Sequence, residues 1–384
     1  MFRTWVVGIA VVLSAGAVRG GEGPPKEKSW KEWVARLQAE DADAKDRARA
    51  AVALGDLGPQ AREAVPALLE ALSNDNPEVR LAVTGALRRI GPGAGDAASP
   101  LAALLKDPDK AVRAEAARAL AAIGPRARSA VPALTVALQD HDLTIGREAA
   151  RALVAIGVTT PEVAAALQSA LAEAQVPLRR EAAWALGELA PANGTLVGTL
   201  AAALKDEDVI VRTNAARALG SFGRRAKGAI PALVKALKDQ PATLRREVVR
   251  ALDAIDPEAK EALRALRVAL GDSDGRIRFL AARTLGRLDP TRAEALPVLA
   301  AALQDEDAAV RAMAAHALGA LKDGVKVALP ALQAALKDKN PAVRREAAVA
   351  LARVPEAATE ARKVVRAALK GDDAAARGEA LLVL

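Results

Sequence analysis

Residues Asp107–Gly124 read DPDKAVRAEAARALAAIG, and Asp206–Gly223 read DEDVIVRTNAARALGSFG. Both stretches place an arginine six residues after the aspartate, then an Ala-Ala pair and an apolar residue before glycine. The arginine recurs every 33 residues, at Arg47, Arg80, Arg113, Arg179, Arg212, Arg245, Arg278, Arg311, Arg344 and Arg377, and Gly146 stands at the one position that lacks it. A fixed period of this size is typical of stacked-repeat proteins, whose units pack on their neighbours.

Each repeat is predicted to hold two helices, A and B. Asp or Asn stands four residues before most of the periodic arginines, where its side chain can cap the start of helix B. Apolar residues then follow at the spacing of one helix face, as at Val112, Ala116, Leu120 and Ile123. A glycine often ends helix B, and a recurring proline is predicted in the first turn or at a kink of helix A.

The sequence therefore predicts an all-α solenoid of about eleven two-helix units within residues 30–384. Neither helix can bury its apolar stripe alone, so each unit must pack on the next. The predicted units are 26–58, 59–91, 92–124, 125–157, 158–190, 191–223, 224–256, 257–289, 290–322, 323–355 and 356–384.

The N-terminus has the pattern of a secretory signal peptide. Arg3 precedes an uncharged, mostly apolar stretch, Thr4–Val18, which small residues follow up to Gly20. The stretch is short for a bilayer-spanning helix, which needs roughly 20 apolar residues. We expect residues 1–20 to be a cleaved signal, 21–29 a linker, and the protein to be periplasmic or extracellular. The alternatives are an uncleaved membrane anchor and an apolar N-terminus that directs nothing.

Composition excludes several kinds of active site. The chain has no cysteine and two histidines, His141 and His316, which lie in distant units, so thiolate and histidine-rich metal centres are excluded. No Ser-His-Asp set or phosphate loop is recognisable, and we expect no catalytic residue, metal or cofactor. Net charge is +8, and removal of Arg3 and Arg19 with the signal would lower it to +6.

The pattern Asp-x5-Arg-x-x-Ala-Ala-x-Ala-Leu-x-x-Ile-Gly resembles the HEAT repeat, and the 33-residue period resembles the short bacterial subtype named after phycobilisome lyases. The resemblance implies a right-handed superhelix whose B helices line the concave side. Among HEAT-like enzymes, deoxyhypusine hydroxylase holds iron with His-Glu motifs, which neither His141-Asp142 nor His316-Ala317 reproduces.

The resemblance also implies that the periodic acids and arginines bond within and between units, Asp107 with Arg113 and Asp206 with Arg212 among them. Arginines on a regular helix usually pair locally, so we interpret this ladder as structural. Its residues include Asp107, Arg113, Asp206, Arg212, Asp239, Arg245, Asp305, Arg311, Asp338 and Arg344.

Binding residues are predicted on the exposed side of the B helices, two and five positions after the periodic arginine. Most units carry glutamate and arginine there, and such pairs three residues apart stabilise a helix surface. Arg217 and Arg283 have no glutamate on their own helix, and Phe279 and Leu280 are expected to face outward beside Met313. If the helices are rotated, these apolar residues fill the core instead. The candidates are Trp184, Arg217, Arg250, Phe279, Leu280, Arg283, Met313 and His316.

The leading expectation is a non-catalytic, exported scaffold that binds a protein along its concave groove. One alternative is an anionic polymer, nucleic acid or polysaccharide, bound by the basic middle units, although export makes nucleic acid unlikely. A second is an accessory subunit of a lyase- or hydroxylase-type enzyme complex. Membrane contact is expected only through an uncleaved N-terminus. The apolar end Leu381–Leu384 predicts end-to-end self-association or partner contact.

Overall fold

A computed structural model of the chain describes residues 30–172, 175–189, 196–238, 241–288, 294–321, 326 and 328–352. The predicted signal peptide, the linker, Asp239 and the C-terminal end lie outside the described residues. Within them the chain forms an all-α solenoid. Its α-helices are α1 (Trp30–Gln38), α2 (Ala44–Asp56), α3 (Val65–Ala71), α4 (Pro77–Ile90), α5 (Ala98–Leu104), α6 (Lys110–Ile123), α7 (Val131–Ala137), α8 (Leu143–Ile156), α9 (Pro161–Ala172), α10 (Val176–Leu189), α11 (Leu196–Ala203), α12 (Val209–Phe222), α13 (Ile230–Lys235), α14 (Ala242–Ile255), α15 (Lys260–Ala269), α16 (Gly275–Leu288), α17 (Ala295–Ala301), α18 (Ala308–Ala320), α19 (Leu329–Ala335) and α20 (Pro341–Ala352).

Odd-numbered helices are the predicted A helices and even-numbered helices are the B helices. Each even-numbered helix packs on the even-numbered helices before and after it, and on an odd-numbered helix of its own unit. The solenoid is therefore two helical layers thick. Short 3-10 segments precede several odd-numbered helices, namely Gly58–Ala64, Gly91–Ala97, Gly124–Ala130 and Gly223–Ala229.

Helix boundaries follow the predicted capping signals. The carboxylate of Asp109 accepts hydrogen bonds from the N–H groups of Ala111 and Val112 at the start of α6, at 2.7 and 3.3 Å. Gly124 ends α6 with φ of +68°, a conformation that favours glycine. The recurring proline lies in the first turn of α3, α7, α13 and α19, because its missing N–H costs nothing there. The predicted caps and first-turn prolines are confirmed.

Small residues let the even-numbered helices approach closely. A Cβ added to a glycine near the end of one helix would lie 2.8 to 3.3 Å from an alanine of the next. These pairs are Gly55–Ala86, Gly187–Ala218, Gly220–Ala251 and Gly319–Ala350. Backbone contact of this kind needs the alanine-rich, aromatic-poor composition of the chain, because larger side chains would separate the helices.

The apolar core divides into two clusters. One cluster runs from Leu37 to Ala265, and the other runs from Val249 to Leu351. They adjoin at α14, α15 and α16, where even-numbered helices contact each other less extensively than elsewhere in the stack. The stack is thus least tightly packed on both sides of α16.

Candidate functional site

The periodic arginine joins one unit to the next. The Arg113 guanidinium donates to the backbone carbonyl of Asp107, at 2.8 Å, and to the carboxylate of Asp140 in the following unit, at 3.0 Å. The Asp107 carboxylate is bound instead by Arg80 of the preceding unit, at 2.7 and 2.8 Å. Bonds within and between units are therefore present. Asp107 and Arg113 are bonded as expected, but through the backbone carbonyl of Asp107, since its carboxylate binds Arg80 of the preceding unit.

The same geometry recurs along the stack. Carboxylates 27 residues ahead accept from the arginine, and backbone carbonyls five and six residues behind accept from its other nitrogens. The between-unit pairs are Arg80–Asp107, Arg113–Asp140, Arg179–Asp206, Arg245–Asp272, Arg278–Asp305 and Arg311–Asp338. Arg212 and Arg344 make the backbone contacts, to Asp206 and Asp338. The described arginines of the ladder are thus bonded within the protein, to carboxylates or to backbone carbonyls.

Pairing with an arginine favours the ionised form of a carboxylate, as Asp338 illustrates. Hydrogen bonds from Arg311 lower the pKa of Asp338 below its ordinary value. A second row of ion pairs involves the residue that follows the periodic arginine. For example, the Nε of Arg180 donates to the carboxylate of Asp208 at 2.9 Å. That hydrogen bond, together with backbone N–H donors of α12, lowers the pKa of Asp208 to about 2.

Most of the predicted binding residues lie on one surface of the even-numbered helices, which we call the even-helix face. It comprises Val52, Glu115, Arg118, Glu148, Arg151, Glu181, Trp184, Asn214, Arg217, Glu247, Arg250, Arg283, Met313, His316 and Glu346. From α6 to α10 this face is an alternating network of charges. Arg118 lies 3.4 Å from Glu115 of its own helix and 3.2 Å from Glu148 of the next. Arg151 lies between Glu148 and Glu181 in the same way.

The arginines predicted to be unpaired also have partners. Arg217 lies 3.7 Å from Glu247 of the following helix, and Arg250 lies 2.8 Å from the same carboxylate. Arg283 lies 3.3 Å from Asp253 of the preceding helix. Sequence reasoning considered glutamates on the same helix and missed these partners on neighbouring helices. The middle units are therefore less available to an anionic ligand than their arginine content indicates.

Three apolar candidates are more buried than predicted. Phe279 and Leu280 are 2% and 6% exposed and belong to the second core cluster, so the expectation that they face outward is wrong. Trp184 is half-buried and packs against the first core cluster. Met313 is exposed on α18, and His316 is exposed beside Glu346, with Nδ1 and Oε2 3.0 Å apart.

The spacing between α16 and α18 differs from that of the tightly packed pairs. Gly286 occupies the position that approaches alanine elsewhere, yet a Cβ there would lie 3.2 Å from Ala295 and Leu321, with Ala317 of α18 not among its nearest neighbours. On the other side of α16, Thr284 replaces the alanine that the other even-numbered helices carry at this position, and its hydroxyl donates to the carbonyl of Leu280. The contact between Gly286 and Ala317 is therefore missing, and a gap lies between α16 and α18.

This gap is a groove of about 620 Å³ on the even-helix face, and we call it the α16–α18 groove. Its described lining is Phe279, Arg283, Arg287, Met313, His316, Ala317, Ala320 and Leu321. The floor is apolar, whereas arginine and histidine side chains form the rim. The structure brings together four of the eight predicted candidates, Phe279, Arg283, Met313 and His316, and leaves Trp184, Arg217, Arg250 and Leu280 outside the groove.

The rim includes residues that sequence reasoning missed. Arg287 is exposed and forms an ion pair with Asp253, which also binds Arg283. The Arg283 guanidinium lies 6.0 Å from the centre of the Phe279 ring, within reach of a cation–π contact. The repeat alignment contains a signal that the packing differs here. Asp253 and Thr284 stand at positions where the tightly packed helices carry glycine and alanine.

Two further kinds of feature, metal-binding clusters and membrane-spanning helices, were sought in the described residues. Within it, no cluster of three or more His, Asp or Glu side chains is arranged to hold a metal ion. Nor does it include a helix with the length and apolar character needed to cross a bilayer.

Comparisons with known proteins agree with the fold. A family model described as HEAT repeats matches residues 31–105, 98–187, 174–253, 230–307, 263–335 and 296–384. An engineered protein of known crystal structure superimposes with a TM-score of 0.53 at 24% identity, over 88% of this chain and 99% of that protein. Importin beta superimposes with a TM-score of 0.60 at 15% identity, over 92% of this chain and 56% of importin beta. The chain thus spans little more than half of importin beta, and the likeness shows the fold alone. No curated protein matched the sequence.

Proposed function

Since the chain belongs to the HEAT-repeat family, we propose that it is a non-catalytic scaffold that binds a protein partner on its even-helix face. HEAT solenoids typically act as scaffolds that bind other proteins. The observation that carries the proposal is the contrast on this face between a network of paired charges and a groove with an apolar floor. Exposed apolar surface rimmed by polar groups is typical of protein-binding sites.

A protein partner accounts for this face better than an anionic polymer does. Binding to a polyanion relies on cations that are free to neutralise phosphates or sulfates. Arg118, Arg151 and Arg250 already face carboxylates at hydrogen-bonding or ion-pairing distance. Their positive charge is largely neutralised within the protein, and a protein surface with mixed charges complements them.

We also propose, on the sequence pattern of residues 1–20, that the protein is exported. The 33-residue period favours the short phycobilisome-lyase-like subtype within the family. N-terminal sequencing of the protein recovered from its native cells tests export. A mature N-terminus near residue 21 in the exported fraction supports it, whereas an intact Met1 in the cytosol contradicts it.

Site-specific photo-crosslinking in those cells tests the binding face. A benzophenone amino acid at Val52 or Arg250, exposed on even-numbered helices, should crosslink to a protein. The same label at Val136 or Val268, which are 65% and 79% exposed on odd-numbered helices, is the matched control. Adducts at the odd-helix positions alone, or at none of the four, would contradict the proposal.

A further inference from the structure

We infer that the α16–α18 groove holds an apolar side chain from an acidic segment of a partner protein. The inference rests on the proposed function and specifies which part of the even-helix face makes the anchoring contact. The occupant is an extended segment in which an aromatic or large aliphatic residue lies between acidic residues.

The size and floor of the groove favour an apolar side chain. Its volume of about 620 Å³ lies within the range of roughly 300–1,000 Å³ that is usual for ligand pockets. Phe279, Ala317, Ala320 and Leu321 line it with hydrocarbon. Met313, 36% exposed, stands at its side and can adapt its unbranched side chain to the ligand. Burial of a large apolar residue here would complete the interrupted packing between α16 and α18.

The charge of the rim favours acidic neighbours of that residue. Two guanidinium groups, Arg283 and Arg287, share the single carboxylate of Asp253. In the regular network an arginine such as Arg151 also meets a glutamate of the following helix. For Arg283 that position is occupied by Met313, so the carboxylate that would complete the network is missing. A partner carboxylate can supply it.

The spacing of the rim favours a peptide over a single fatty acid. Arg283 and Arg287 are one helical turn apart, about 6 Å along α16. Residues on either side of an inserted residue in an extended segment are separated by about 6.5 Å. The spacing of two flanking carboxylates therefore matches that of the two arginines, whose exposed side chains can reach carboxylates that point away from the floor. A fatty acid carries one carboxylate and matches only half of this arrangement.

The sequence provides a direct probe, because its methionines are Met1 and Met313. Full-length protein labelled with [13C]methyl-methionine reports on the groove through the Met313 methyl signal. The probe ligand is the peptide Gly-Ser-Glu-Phe-Glu-Ser-Gly, compared with versions that carry Glu-Ser-Glu or Lys-Phe-Lys at the centre. We expect the Glu-Phe-Glu peptide to shift the Met313 signal and the other two to bind at least about tenfold more weakly.

Two variants locate the binding. Arg287→Glu should weaken the Glu-Phe-Glu peptide by about tenfold or more. Arg89→Glu is the matched control, since Arg89 occupies the equivalent repeat position on α4 and pairs with Asp56 at 2.8 Å. It should leave the affinity unchanged.

Several results would overturn the inference. These are an unmoved Met313 signal with the Glu-Phe-Glu peptide, equal binding of all three peptides, and equal weakening by both variants. A shift with dodecanoate but not with the peptide would identify a lipid site instead. Crosslinks at Val52 or Arg250 without a peptide-induced shift would leave the proposed function standing and reject the groove as its anchor. A shift without such crosslinks would support the groove as a peptide site and show that the partner does not contact the face at Val52 or Arg250.

Discussion

Arg80 forms two hydrogen bonds with the carboxylate of Asp107, 27 residues ahead in the next repeat unit, at 2.7 and 2.8 Å. The same guanidinium also donates to the backbone carbonyls of Asn74 and Asp75. One side chain therefore closes the turn of its own unit and holds the following unit in register. The same pair of bonds recurs along the stack and requires a fixed number of residues between the arginine and its carboxylate. This requirement explains the regular 33-residue spacing of the arginine.

Replacement of Arg80 by alanine should destabilise the protein by about 2–4 kcal/mol, because it leaves a largely buried carboxylate and two carbonyls without their donor. Arg89→Ala is the control: its ion pair with Asp56 is more exposed, so its loss should cost about 1 kcal/mol or less. Urea denaturation of both variants measures the difference. Equal effects would show that the ladder contributes no more than a surface pair.

Gly319→Ala should also destabilise, by about 1–2 kcal/mol. The added methyl group would lie 2.8 Å from the Cβ of Ala350, and this crowding outweighs the better helix propensity of alanine. A methyl group added to Gly198 on α11 would meet no other atom within 4 Å, so Gly198→Ala should raise stability by up to about 1 kcal/mol. Thermal unfolding of the two variants should therefore shift in opposite directions, and a shift in the same direction would contradict the close approach of α18 and α20.

Asp208 makes part of the stability dependent on pH. Its folded pKa of about 2 lies below its ordinary value of 3.8, so its stabilising contribution is complete above about pH 4 and is lost as the pH falls toward 2. Asp208→Asn retains a capping oxygen for α12 but removes the charge that binds Arg180. The variant should melt at a lower temperature than the natural protein at pH 7, and the difference should shrink between pH 4 and pH 2. A difference that stays constant across this range would show that the charge of Asp208 is not involved.

Phe279 and Met313 line the same groove but should contribute very differently to stability. Phe279→Ala removes a side chain that is 2% exposed and should cost about 3–5 kcal/mol. Met313→Ala alters an exposed side chain, so the loss of stability should stay at about 1 kcal/mol or less. Denaturation curves provide the comparison. A small loss for Phe279→Ala would show that its ring is not part of the core.

Much of the architecture follows from the sequence because the repeat places equivalent residues in equivalent surroundings. The caps at Asp109 and Asp208, the turn at Gly124 and the prolines that start odd-numbered helices were all predictable from local rules. Family resemblance added that acids and arginines bond within and between units. It did not indicate that the carboxylate of Asp107 serves the preceding unit, since that depends on the spacing of adjacent helices.

The candidate site was predicted less completely for a related reason. A helical period identifies the residues that share a face, but it does not show how far that face is covered by the neighbouring helix. Phe279 and Leu280 were therefore placed on the surface, although they are only 2% and 6% exposed. Met313 and His316 were placed correctly, since both are exposed on α18. Arg287 was overlooked because its position was assigned to no exposed row.

The bond from each ladder arginine to the carboxylate 27 residues ahead also determines how the chain can change in length. Removal of a complete unit, such as residues 92–124, would bring Asp140 to the place that Asp107 now occupies beside Arg80. Removal of part of a unit, such as residues 98–104, would bring Ala114 to the position 27 residues after Arg80, where it offers no carboxylate. Gain or loss of a whole unit keeps the arginine 27 residues from its carboxylate, so the ladder favours changes in length by complete repeats.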